Sequence, residues 1–122
     1  YFKNTSTTQK FYVTDLEVGA ADLAIFKLST VTGTATGTTI THSNLNLTSG
    51  NVASATCLGN GAVGGLTEGS VLKVISVNVD DSKNINLSDA LILGQGDAIA
   101  IEFDTGSASA IHIDMQGFLD IE

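Results

Sequence analysis

Ala98-Ile99-Ala100-Ile101-Glu102-Phe103, then Asp104-Thr105-Gly106-Ser107, then Ala110-Ile111-His112-Ile113-Asp114-Met115 is the best-patterned part of the chain. Ile99, Ile101 and Phe103 alternate with other residues, and so do Ile111, Ile113 and Met115. A period of two puts each set on one face of a β-strand. The Asp-Thr-Gly-Ser segment between them reads as a turn. Gly117 suggests a bulge, because apolar positions resume at Phe118, and Leu119 and Ile121 close the chain.

The same pattern recurs through the rest of the chain. Phe11–Val18 reads as a strand closed by Gly19-Ala20-Ala21-Asp22, and Leu23–Val31 as a second. Residues 32–37 read as a loop or a bulged, exposed hairpin, and Thr38–His42 as a polar strand. Asn44-Leu45-Asn46-Leu47 reads as a short extended piece before the turn Thr48-Ser49-Gly50-Asn51. Gly59–Gly69 is the most glycine-rich part and reads as a long surface loop. Ser70–Val79 reads as the clearest buried strand, Asp80–Lys83 as a turn, and Asn84–Leu87 and Ala90–Leu93 as short strands before the Gly94–Asp97 turn. No twelve-residue window carries helical spacing. Fifteen Thr, together with frequent Val and Ile, suit a pleated surface. The expectation is an all-β antiparallel β-sandwich of about eight or nine short strands, a jelly roll by preference, with a small barrel as the alternative.

The 122 residues fit one domain, expected at 10–122 behind an N-terminal arm or linker at 1–9. The first residue is Tyr1, so the chain is expected to belong to a longer or processed polypeptide. With 43% apolar residues a core can be filled, and only 15% are charged. A net charge of −8 without any Arg argues against nucleic acid, whose phosphates are neutralised by Lys and Arg. The longest apolar runs are far too short to span a bilayer as a helix, and no signal peptide opens the chain.

Candidate chemistry is sparse. His112 and Asp114 share a strand face, where a carboxylate can orient an imidazole, but no Gly-x-Ser-x-Gly element accompanies them. His42, His112 and Cys57 are the strong nitrogen and sulfur ligands and lack zinc-site spacing; Cys57 reads as a small buried hydrophobe. Asp80, Asp81, Asn84 and Asp89 offer oxygens to Ca²⁺ without the EF-hand pattern and read as a solvated turn. Gly59-Asn60-Gly61-Ala62-Val63-Gly64 spells a dinucleotide fingerprint but lacks the following helix. Asn4, Asn46 and Asn86 begin glycosylation sequons that such a composition yields by chance. Phe11, Phe26, Phe103 and Phe118 read as core; Tyr1, Phe2 and Tyr12 are free to stack on a ligand or to line an interface. No catalytic, cofactor or metal residue is nominated, and a non-enzymatic protein is expected.

The ordered motifs Phe11–Leu16, Asn44–Asn51, Gly64–Gly69, Leu91–Glu102 and Gly117–Asp120 resemble a group of small virion structural proteins of tailed bacteriophages. Gly94 in the last turn and the lack of Arg depart from that pattern. The resemblance implies a jelly-roll module on the capsid exterior, forming a homotrimer and serving as a decoration or cement protein bound to the major capsid protein. A receptor- or glycan-binding module at a fibre or tail tip is the alternative it leaves.

Overall fold

The computed structural model describes residues 1–45, 53–106 and 110–120, apart from the side chains at 60, 61 and 89. The segments at 46–52, 107–109 and 121–122, with the Asn46 sequon and Ile121, lie outside the described residues. Strands run in the order β1 (Phe2–Asn4), β2 (Phe11–Ala20), β3 (Ala24–Thr39), β4 (Ala55–Val77), β5 (Asp81–Leu93), β6 (Ala98–Gly106) and β7 (Ile111–Leu119). They form two antiparallel sheets packed together as a β-sandwich. One sheet has the order β5-β2-β7; the other, β1-β4-β3-β6, closes on itself because β1 pairs with both β4 and β6. The barrel-like closure expected as an alternative therefore exists within one layer of the sandwich. The jelly-roll connectivity stays an expectation, since such a roll needs two four-stranded sheets.

The core forms where alternating apolar residues of the two central strands meet. Leu16 and Val18 of β2 and Phe26 and Leu28 of β3 are all at most 2% exposed. Phe2, Phe11, Ile75, Val77, Leu93 and Ile99 complete the cluster. The first nine residues thus contribute a strand and a core aromatic: the Phe2 ring packs on Phe11 at 4.5 Å.

Four sequence expectations need correction. Residues 59–69 are strand, not loop, because β3 and β4 make one long ribbon in which Thr38 pairs with Gly59 and Thr32 with Thr67. β-branched Thr on one side supplies strand preference where the glycines on the other supply none. Within 70–79 only Ile75 and Val77 are buried, while Val71, Leu72 and Val74 are exposed on this outer strand. Asp104–Ser107 does not turn the chain at its start: β6 continues to Gly106, with Asp104 as the extra residue between the Phe26–Phe103 and Ile25–Thr105 pairs. The turn after β4 sits at Val79–Asp80, where Asp80 takes φ 52°, and Asp81 already opens β5.

The irregularity near Gly117 lies on the other strand. β7 alternates straight through it, and the extra residue is Thr14 of β2, between the Val13–Gly117 and Asp15–Gln116 pairs. Gly117 is required for space: a Cβ there would collide with the Phe11 ring and the Tyr12 carbonyl oxygen. We expect Gly117→Ala to lower stability by about 2 kcal/mol, the usual cost of overpacking against backbone. A urea midpoint unchanged from the parent contradicts this.

Candidate interaction surface

Register across the β5-β2-β7 sheet sorts its side chains into two faces. The outer face carries the rows Ile92–Tyr12–Phe118, Asn86–Asp15–Gln116, Asn84–Glu17–Asp114 and Ser82–Gly19–His112. The inner face carries Ile85–Leu16–Met115, Lys83–Val18–Ile113 and Asp81–Ala20–Ile111.

His112 and Asp114 do share the outer face, as their spacing implies. The imidazole, however, donates from Nε2 to Glu17 Oε1 at 3.1 Å. It lies over Gly19, which has no side chain to displace it. Asp15, Glu17, Asn84, Asp114 and Gln116 border a shallow polar depression beside this pair. Tyr12 and Phe118 stack nearly parallel at its far end, with ring centroids 5.1 Å apart. Phe118 is 52% exposed, so its expected core placement is corrected: Gly117, not Phe118, takes the inward position.

His42 and Cys57 come together, whereas His112 stands on the other sheet. His42 Nε2 donates to the Ala53 carbonyl at 2.8 Å, which leaves Nδ1 to accept from the Cys57 thiol, 3.8 Å away. Burial pushes the Cys57 thiol above its ordinary pKa, the opposite of what a nucleophile needs. The oxygens proposed for Ca²⁺ are split: Asp81 Oδ1 accepts from the Ser82 amide at 2.8 Å, while Asn84 stands on the outer face of β5. Among the described residues no three His, Cys, Asp or Glu side chains converge as metal ligands. The Gly59–Gly64 fingerprint lies inside β4, so no helix N-terminus meets it. Among the described residues no helix is long and apolar enough to cross a membrane.

Two polar features escape a reading of spacing alone. Asn4, formally a glycosylation acceptor, is fully buried. Its amide nitrogen donates to the carbonyls of Gln9, Leu93 and Gly94 at 2.9–3.1 Å, and its side-chain oxygen accepts from the Ser6 amide at 3.0 Å. The other feature is Lys27, whose Nζ lies 3.2 Å from Glu102, 3.5 Å from Asp104 and 3.6 Å from Glu68. The hydrogen bond to Glu102 is the main cause that raises the Lys27 pKa; partial desolvation opposes it, and Asp104 and Glu68 add to the rise. A raised lysine contributes stability that is complete below its unfolded pKa of about 10.5 and is lost as pH climbs through the folded value. Lys27→Met should therefore shrink the fall in urea midpoint between neutral and strongly alkaline pH. An unchanged fall contradicts the cluster's role.

Comparison with protein-family models, with curated proteins and with solved structures finds no match to this chain.

What remains is the contrast between the two long sides of the sandwich. On the β4/β5 side three inner rows end in charges, Lys73, Lys83 and Asp81, and two in Ile75 and Ile85. Inward-pointing charges on outer strands are a common guard against edge pairing. On the β6/β7 side the same rows end in Ile101, Phe103, Ile111, Ile113 and Met115. Ile111 is 43% and Ile113 41% exposed, although both point to the core face.

Proposed function

We propose that this chain is a non-enzymatic structural module of a tailed-phage virion, seated on the outside of the capsid shell and reinforcing it. The observation that carries the reading is the uncovered row Ile111–Ile113 on an unguarded strand. Apolar side chains that point to the core face yet stay wet gain free energy when a neighbour covers them. Polar groups support the same reading by pairing among themselves: His112 with Glu17, His42 with Ala53, and Lys27 with three carboxylates. The ordered motifs supply the virion context, and the Thr-rich ribbon of β3 and β4 suits an exposed exterior. The resemblance implies copies grouped in threes. The test is to locate and count the protein on the particle and to heat particles that lack it. Hundreds of copies over the shell and earlier loss of the packaged genome support the reading; a handful of copies at the tail, or unchanged heat resistance, overturns it.

A second reading, a glycan-binding module at a fibre or tail tip, is favoured by the stack of exposed Phe118 on half-buried Tyr12 beside Asp15 and Gln116. An aromatic face with neighbouring carboxylate and amide groups is a workable sugar platform. A glycan array decides it: binding to one glycan class that Tyr12→Ala abolishes supports this reading, and an empty array removes it.

A further inference from the structure

We infer that two copies of this chain join through β7, edge to edge and antiparallel about a two-fold axis at Ile113, to make one continuous six-stranded sheet. The inference rests on the self-association in the structural reading above, and it replaces the implied three-fold grouping with a two-fold one.

Four observations lead there. First, β7 is an outer strand: it pairs with β2 on one side, and among the described residues no strand pairs with the other. Second, its free side has hydrogen-bonding groups to offer. The Ala21 amide donates to the Ala110 carbonyl at 2.9 Å, which fixes the phase of the ladder. By the alternation of antiparallel pairing, the peptide groups of His112 and Asp114 face β2 and those of Ile111, Ile113 and Met115 face outward. Third, the edge lacks the inward-pointing lysines of the opposite side, where Lys73 and Lys83 each end an inner row.

The fourth observation selects the partner. The sequence Ile111-His112-Ile113-Asp114-Met115 is self-complementary when reversed. With the axis at Ile113, that residue meets its own copy, Ile111 meets Met115, and His112 meets Asp114, each pair occurring twice or on the axis. Apolar residues then cover apolar residues on the inner face, and an imidazole meets a carboxylate on the outer one. Moving the axis to Asp114 sets two carboxylates against each other, which is unfavourable for directly opposed residues. Moving it to Met115 sets Ile113 against Gly117 and leaves the isoleucine uncovered. An axis between residues would join the inner face of one copy to the outer face of the other. In the chosen register His112 and Asp114 form the closely spaced, non-hydrogen-bonded pair, where side chains approach best. A second copy of this chain therefore fits the edge in both apolar content and charge. The contact must still bury on the order of 1,000 Å² in total to be stable, and the Ile111–Met115 rows of both copies lie at its centre.

Sedimentation equilibrium of the chain tests this, with circular dichroism to establish folding of each variant. The parent should be dimeric and Ile113→Lys monomeric with an unchanged β spectrum. His112→Asp and Asp114→His should each weaken the dimer about tenfold or more, since both symmetric pairs turn repulsive or unmatched. The double variant should regain parent affinity, because positions 112 and 114 face each other across the axis. Ile113→Cys should self-crosslink under mild oxidation, being opposite itself at strand-pairing distance; Ile111→Cys should not. A parent that stays monomeric up to its solubility limit overturns the inference and the self-association behind it. A trimer insensitive to Ile113→Lys, or a double variant as weak as the singles, overturns the β7 pairing alone and leaves the virion reading standing.

Discussion

Truncating Phe26 to Ala will cost about 4 kcal/mol of unfolding free energy. Phe26 is the largest fully buried side chain and sits on the central strand β3. Across its own sheet it lies between Ile75 and Phe103, and its ring meets that of Phe103 edge-on with centroids 5.9 Å apart. Removing it loses the transfer free energy of the ring, the edge-to-face contact and the packing around the space left behind. Buried Phe→Ala changes cost about 3–5 kcal/mol, and aromatic pairs add about 1 kcal/mol. Domains of this size are stable by only about 5–15 kcal/mol, so the variant will stand close to unfolding at room temperature. Urea titration will show the midpoint falling at constant slope. A loss under about 1 kcal/mol would mean that Phe26 is not the centre of the core.

Asn4→Ala will cost about 3 kcal/mol, a large effect for a short polar side chain. The Asn4 side chain gathers the carbonyls of Gln9, Leu93 and Gly94 and the amide of Ser6. Its backbone is bound to the same turn: the Asn4 amide donates to the Asp97 carbonyl and the Gly96 amide donates to the Asn4 carbonyl, both at 3.0 Å. The side chain therefore ties β1, the segment leading to β2 and the β5–β6 turn together. Alanine removes the side-chain partners of the Gln9 and Leu93 carbonyls and of the Ser6 amide, while the Gly94 carbonyl keeps the Asp97 amide, and each unsatisfied buried group costs about 1–3 kcal/mol before relaxation and water entry. Asn4→Asp should be as damaging, since a carboxylate cannot donate to three carbonyls. Thermal unfolding of both variants checks this, and a melting temperature within a degree or two of the parent's would contradict it.

The fold was legible where one face of a strand is buried and the other is wet. Phe11–Val18 and Ala98–Phe103 alternate for that reason, and β2 and β6 cover both stretches. It was illegible where both faces are wet. Nothing in residues 32–39 or 59–70 alternates, because the β3–β4 ribbon is largely exposed there; strand structure comes from the pairing of one arm with the other. Gly117 marked the right place for an irregularity but the wrong strand. A glycine that makes room for Phe11 and a glycine that forms a bulge read alike in sequence, and the extra residue, Thr14, has no signature of its own.

The candidate surface was legible only in part. The spacing of His112 and Asp114 put them on one face, but Glu17, the partner that His112 takes, is ninety-five residues away in sequence. Asn4 looked like a sequon because its surroundings are short polar residues; its burial depends on Leu93 and Gly94, which no local pattern connects to it. The contrast between the two sides of the sandwich needed the register, since Lys83 and Ile113 share a row only through Val18 of β2.

The proposed attachment of this domain to its neighbours depends on the free edge of β7. Amide hydrogen exchange, resolved by residue and measured across protein concentration, tests that most directly. In dilute solution the amides of His112 and Asp114, bonded to β2, should exchange slowly, and those of Ile111, Ile113 and Met115 quickly. On concentration the second set should become protected as well. If Ile111, Ile113 and Met115 exchange quickly at every concentration while the sheet stays folded, β7 is not the attachment edge.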